Sequence, residues 1–589
     1  MPSYHAPLVD FDFLLTDVFD MPSYWQSMPG LAHVDLDTAK AILEGAGTLC
    51  EQELAPLNRS GDEEGARLEP EGVIAPKGFK QAYQAYCEGG WGMLGGNPEY
   101  DGMGMPKTLV SMVEEMVQAA NMALGLAPML TAGATLAIDA HADDATKQLY
   151  LPKMYSGEWS GAMDLTEPHC GTDLGLIRTK AIPNGDGSFS ITGTKIFITW
   201  GDHDMAENVI HLVLAKTPDA PEGTRGISMF LVPKFLPDDS GTLGDRNALG
   251  VGSIEHKMGI HGSATCVMNF DGAKGWLIGG ENKGLAAMFT MMNYERLVVG
   301  VQGMGAADAS YQAALEYAKD RVQGRSPSGA KYPDKAADPI IVHGDVRRML
   351  LTMKAFNEAG RAFYLYCARF LDAAKYSDDE SIKDSGNKLV DFLTPVAKAY
   401  MTDIALETSV LGQQVLGGHG FVREWGLEQY VRDIRITQIY EGTNGIQAMD
   451  LIGRKTLAAK GDLTQIFIAD IQAYYVANPD AAYRKEVEEG IDALQQATRF
   501  VLEQSSADRD LAGTVANDYL HLVGLVSYGF MWSRMAHAAA SHQGNPAFAT
   551  SKQQTAQFFF ARLFPKVQYH LSLILSGSEP VMSLQEAAF

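Results

Sequence analysis

The chain of 589 residues has only five cysteines, Cys50, Cys87, Cys170, Cys266 and Cys367. The number is odd and no pair forms a CxxC. That excludes a disulfide framework and a paired-thiolate metal site, and it points to a reducing, cytoplasmic setting. Positive charge is scarce as well: 47 Lys and Arg face 72 Asp and Glu, for a formal net charge of −25. So acidic a surface disfavours nucleic acid and anionic membranes as partners, and an anionic ligand then needs a local cluster of basic groups or backbone donors. No apolar run reaches the ~18 residues that span a bilayer, and the opening MPSYHAPLVDFDFLL lacks the basic segment of a signal peptide. There is no HExxH, and His256 and His261 stand alone, so no metal is expected. A GxSxG elbow is missing too. His169 and Cys170 adjoin, but neighbours in an extended segment point to opposite sides, so no Cys–His dyad is expected. A dinucleotide fingerprint is incomplete: Gly300-Val301-Gln302-Gly303-Met304-Gly305 has Asp308 where the third glycine belongs, and its flanks look helical. Small residues for close helix packing explain it better.

What is present has a clear plan. Residues 1–36 form an aromatic arm without a period. Helical spacing begins at 37, with Asp35 or Asp37 as cap and Ala39, Ile42, Leu43 and Leu49 on one face. The polar stretch 58–75 is expected to be a loop. Leu109, Met112, Val113, Met116 and Val117 mark a second helix, and helical character runs to about 157. The period then changes. Phe189–Thr199 alternates after an Asn-Gly-Asp-Gly turn, and Val209–Leu214, Ile227–Val232 and Thr265–Phe270 are short β-branched runs, the pattern of an antiparallel β-domain over 158–282. Helices resume over 283–455, where Thr394-Pro395 reads as a helix start and Gly417-Gly418 as a stop. A further helical block fills 456–589, with Ile491, Leu494, Thr498 and Val501 as one stripe. The fold class is α+β: arm, helical domain 37–157, β-domain, helical bundle, extra C-terminal helical domain.

The chemistry gathers around Ile439-Tyr440-Glu441-Gly442-Thr443-Asn444-Gly445. Alone, Glu441 is an ordinary solvated turn residue. Other segments change that reading: Leu165-Thr166-Glu167-Pro168 with Gly171-Thr172-Asp173, then Gly193-Thr194-Lys195-Ile196-Phe197-Ile198-Thr199, then Gly417-Gly418-His419-Gly420-Phe421, then Arg432-Asp433. Together, in this order and spacing, they resemble the acyl-CoA dehydrogenase flavoproteins over about 37–455. The two ends resemble a bacterial branch with an extended C-terminus.

The resemblance implies an FAD enzyme that removes a proton from Cα and a hydride from Cβ of an acyl-CoA, then passes electrons to an electron-transfer flavoprotein. It implies that Glu441 is the catalytic base, with Gly442 admitting the cofactor closely. Thr166 and Thr199 would meet the flavin ring, Phe197 would lie against it where many relatives have Trp, and Thr443 would contact flavin phosphate. Thr172 would sit by the CoA arm and Arg296 near the base. Arg321, Gln414, Gly417 and Gly418 would hold the far half of FAD across a subunit interface, in a homodimer whose extra domain replaces a second dimer. The branch implies a short substrate, 3-(methylsulfanyl)propanoyl-CoA, as in dimethylsulfoniopropionate breakdown. A medium- or long-chain dehydrogenase, an acyl-CoA oxidase and an inactive scaffold are the rivals. Gly445, His261 and Met163 depart from the family pattern.

Overall fold

Asp35 begins the first long helix as its sequence suggests: its Oδ1 accepts from Thr38 N at 2.7 Å, and Leu36–Leu49 follows with Ala39 and Leu43 buried. The computed structural model describes residues 4–589 and divides into two units. One gathers the chain up to Glu44, Lys107–Glu115 and Val299–Phe589; the other gathers Gly45–Pro106 and Met116–Val298.

The second unit contains β1 (Arg67–Glu69), β2 (Gly72–Ile74), β3 (Trp159–Asp164), β4 (Lys180–Pro183), β5 (Phe189–Thr199), β6 (Asn208–Ala215), β7 (Ser228–Pro233), β8 (Phe235–Pro237), β9 (Leu243–Arg246), β10 (Leu249–Ile254) and β11 (Thr265–Ile278). Seven of them form one sheet in the order β3-β6-β7-β11-β5-β4, with β10 also on β11. The sheet is mixed rather than antiparallel, because β3 runs parallel to β6, pairing Trp159 with Asn208 through Asp164 with Val213. The reason lies in β6, which is buried at every position and carries no alternation that would mark an outer face. The stretch 58–75 is not a loop. Pro56–Glu64 is a helix, started by a proline in its first turn, and β1 and β2 form a hairpin. Its anchors are remote: Gly61 lies under the Phe79 ring, and Asp62 is held by His261 Nδ1 at 2.9 Å. The helix Met122–His141 is long and apolar enough to cross a bilayer, with 78% of its most apolar window buried in the fold.

In the first unit the arm is structured. Leu8–Phe13, a wide turn at Leu14–Val18 and Met21–Gln26 are helical, and Phe11, Phe13, Leu15 and Trp25 are buried. Pieces this short show no periodicity. Thr394-Pro395 is not a start either: one helix runs Glu380–Val415 through Pro395, and its cap is Asp379, which accepts from Ser381 N at 2.8 Å. Helix Gly284–Asp320 contains Gly300, where an added Cβ would meet Ala397 O at 2.5 Å, so the glycine-rich run is a helix-packing device. The C-terminal helices include Arg484–Gln504, with Ile491, Leu494, Thr498 and Val501 buried, and Leu511–Ser541.

Candidate active site

The nominated residues divide between the units. Thr166, Thr172, Phe197, Thr199 and Arg296 lie in the second; Arg321, Gln414, Gly417, Gly418, Glu441, Gly442 and Thr443 lie in the first.

In the second unit, Thr166 and the end of β5 are one construction. Ile196 N donates to Thr166 O at 2.9 Å, and Lys195 Nζ donates to Leu165 O at 3.0 Å and to Glu167 Oε1 at 2.9 Å. Glu167 also accepts from Arg178 N at 2.7 Å, Thr179 N at 3.0 Å and Thr179 Oγ1 at 2.6 Å. Burial pushes its carboxyl up, but Lys195 and these donors outweigh burial and leave it below its ordinary range. The fully buried Lys195–Glu167 pair therefore clamps the Thr166 turn to the sheet. Sequence reasoning passed over this pair, although Lys195 shares the inward parity of Ile191, where a cation demands a buried acid.

Register then slips: Lys195 pairs with Met268 but Ile198 pairs with Cys266, so β5 carries an extra residue. The bulge turns Phe197 outward, with φ +61° and 60% of its surface exposed, and Thr199 ends the strand half-exposed. An outward aromatic beside two accessible threonines suits a flat ring with polar edges. Thr172 is exposed in the turn that follows Cys170. That segment is not extended: Glu167 and Cys170 form a bridge, so the ligand atoms of Glu167, His169 and Cys170 come within 4.8 Å of one another, contrary to the expectation that the last two point apart. Burial raises the Cys170 thiol, and His169 Nε2 is 2.9 Å from Leu176 O. Arg296 is not a surface charge; it is 7% exposed, with its guanidinium over the Phe289 ring.

In the first unit, Glu441 is half-buried and held at φ +55°, and Gly442 follows at φ +80°. Gln447 Nε2 donates to Glu441 O at 3.0 Å, and a Cβ on Gly442 would fall 2.8 Å from that same nitrogen. Gly442 is thus required by its own chain. Tyr440 donates to Gln302, and Thr443 caps the helix Asn444–Met449 by accepting from Ile446 N at 3.3 Å. Asn444 Nδ2 donates to Asp403 Oδ1 at 2.7 Å and Lys398 Nζ donates to Asn444 Oδ1 at 2.8 Å. Asn444, Gln447, Asp403 and Lys398 are the supports that sequence reasoning did not nominate.

Arg321, Gln414, Gly417 and Gly418 form a separate, exposed group. Tyr317 hydroxyl lies 3.0 Å from His419 Nδ1, tying the end of the Gly284–Asp320 helix, just before Arg321, to the Gly417–Phe421 turn. Nothing within 4 Å fills the space above Gly417 or Gly418. Gln414 stands about 16 Å along its helix from Asp403.

The chain thus has a helical segment, a mixed-sheet segment and a second helical segment in that order. Family models agree: Acyl-CoA dehydrogenase N-terminal domain matches 37–158, the middle domain 162–273, the C-terminal domain 282–457, and an Acetyl-CoA dehydrogenase C-terminal like model 467–585. The chain is 42% identical over 589 residues to a 3-methylmercaptopropionyl-CoA dehydrogenase of Ruegeria pomeroyi, covering 99% of both. It is 35% identical over 610 residues to a butyryl-CoA dehydrogenase of Syntrophomonas wolfei, covering 100% of this chain and 99% of that one. The fold matches a Bacillus anthracis acyl-CoA dehydrogenase solved with FAD, at TM-score 0.74 and 20% identity over 96% of this chain and 91% of that one. The chain belongs to the acyl-CoA dehydrogenase family, FAD-dependent oxidoreductases that act on CH–CH bonds.

Proposed function

We propose that the protein dehydrogenates a short acyl-CoA, 3-(methylsulfanyl)propanoyl-CoA, to its α,β-unsaturated thioester, with Glu441 as base. The observation that carries this reading is the conformation of Glu441, a left-handed non-glycine residue whose carbonyl is gripped by Gln447. Such strain persists where surrounding structure over-determines it, most often at a functional site. Glu441 takes the α-proton. A carboxylate is too weak for that in water; burial of substrate around it raises its basicity toward working pH. The Glu441 backbone N–H serves the thioester oxygen and stabilises charge as it develops there. FAD, when bound, accepts the hydride that leaves Cβ. Thr166 and Thr199 would hold its ring edges, Phe197 would cover it, and Thr172 and Arg296 would meet substrate, Thr172 at the CoA arm. Thr443 reaches phosphate.

Arg321, Gln414, Gly417 and Gly418 serve a second copy's FAD. The open space over both glycines and the exposed Phe421 (84%), Val422 (41%) and Trp425 (37%) beside them support a homodimer. Electrons leave to an electron-transfer flavoprotein, in a cytoplasm that suits five free cysteines. The substrate rests on the 42% identity to the Ruegeria enzyme.

Anaerobic bleaching of flavin absorbance by butanoyl-, pentanoyl-, octanoyl-, palmitoyl- and 3-(methylsulfanyl)propanoyl-CoA tests this. Fastest bleaching by the thioether supports the assignment, whereas preference for octanoyl or palmitoyl sinks the substrate and keeps the class. Glu441→Gln should keep FAD and lose bleaching at least about 100-fold; retained bleaching refutes the base.

A further inference from the structure

Asp403 joins the Glu441 loop to the C-terminal extension. Its Oδ1 accepts from two side chains at once, Gln438 Nε2 at 2.6 Å and Asn444 Nδ2 at 2.7 Å. These residues stand three before and three after Glu441, so one carboxylate oxygen closes both ends of the loop that carries the base. The other oxygen, Oδ2, lies 3.0 Å from His521 Nε2. A carboxylate only accepts, so that nitrogen carries the proton. His521 belongs to helix Leu511–Ser541, within the segment matched by the C-terminal-like family model. Its ring stands edge-on to Tyr400 at 5.3 Å and 88°, and 5.3 Å from His570, itself 2.9 Å from Asp518. One turn further on is Gly524, where a Cβ would fall 2.3 Å from the Tyr400 ring. The glycine lets the helix approach closely enough for His521 to reach Asp403.

We propose that His521 is a positioning residue for the catalytic base: it fixes the rotation of the Asp403 carboxylate, and that carboxylate fixes the loop Gln438–Asn444 around Glu441. Burial raises the Asp403 carboxyl, but His521, Asn444 and Gln438 outweigh it and keep it below its ordinary range, hence ionised and able to accept from all three. The extension thereby takes part in catalysis without touching substrate. The inference rests on Glu441 being the base.

The test uses full-length, FAD-loaded protein and three variants. His521→Phe keeps ring volume against Tyr400 and removes the donor; His521→Gln keeps a donor; Glu441→Gln reports on the base itself. If His521→Phe does not accumulate, His521→Leu replaces it. Rapid anaerobic reduction by 3-(methylsulfanyl)propanoyl-CoA and by butanoyl-CoA gives the limiting rate and half-saturating concentration. Deuterium exchange of amides 438–447, in protein with and without FAD, reports loop order independently of turnover. His521→Phe should lower the limiting rate about tenfold, within the range that slight misplacement costs. Half-saturation should move less than about twofold, FAD content should hold, and loop exchange should quicken with or without FAD. His521→Gln should return the limiting rate and exchange to near wild type. An unchanged limiting rate in His521→Phe, unchanged exchange, or a glutamine variant as impaired as the phenylalanine one would overturn the proposal. Glu441→Gln separates the two readings. If it is inactive while His521→Phe is fully active, only the role of His521 fails; if it is active, the base assignment fails on its own.

Discussion

Phe197 and Glu441 are two of only nine described non-glycine residues with positive φ. Each such residue costs on the order of 1–3 kcal/mol. Phe197→Gly should therefore raise the stability of FAD-free protein by about 1 kcal/mol and weaken FAD retention. Melting temperatures without FAD and flavin per chain check this; equal losses in both would make the ring simple packing. Glu167 makes an opposite prediction about pH. Its carboxyl is depressed in the folded state, so its contribution is complete above the unfolded carboxylate range near pH 4 and drains away as pH falls below it. Glu167→Gln should flatten that acid limb and cost stability at pH 7, because Lys195 is left fully buried without a counter-ion. Denaturation from pH 3 to 7 gives both numbers. Thr166, Phe197, Thr199 and Glu441 are nominated by their motifs alone. The motifs do not show what fixes them. The register slip that turns Phe197 out is set by β11, and the acid beneath Lys195 is 28 residues away.

At the scale of elements, the glycines of the Gly284–Asp320 helix make a graded test. A Cβ at Gly300 meets a backbone oxygen, Ala397 O, at 2.5 Å, whereas at Gly303 it meets Ala405 Cβ at 3.2 Å. Gly300→Ala should destabilise by about 1–3 kcal/mol, and Gly303→Ala clearly less. Chemical denaturation ranks them, and equal effects would deny the close crossing. Elements with a long period were readable: the stripes Leu109–Val117 and Ile491–Val501 are buried as their spacing implies. Elements set by distant partners were not. The helix over Pro56–Glu64 depends on His261 and Phe79, and Pro395 sits inside a helix whose cap is Asp379. The parallel pairing of β3 with β6 depends on a strand buried throughout, which has no face to read.

Across the first unit, the two ends of the chain meet in one charged cluster. Lys552 Nζ contacts Asp10 at 2.6 Å and Glu358 at 3.0 Å, and Arg361 contacts Asp10 at 3.2 Å, Asp308 at 3.3 Å and Glu115 at 2.9 Å. Lys552→Met should cost about 1–3 kcal/mol, since Asp10 keeps Arg361 and Glu358 keeps Lys354 but each loses its second cation, and guanidinium unfolding would register a smaller loss if the cluster were solvated. Nothing in the arm's sequence announces this, because its partner lies 542 residues away. That separation becomes a delay when the protein is made. At ~5–20 residues per second, the ribosome takes roughly half a minute to two minutes to supply Lys552 after Asp10 has emerged. Through that interval the arm's Phe13, which packs on His542 and Phe548 in the finished fold, has no completed site to enter. Nascent chains halted before residue 552 should be clipped by protease within the arm, and released full-length chains should resist. The arm of the newborn protein thus stays uncovered until its C-terminal helices arrive.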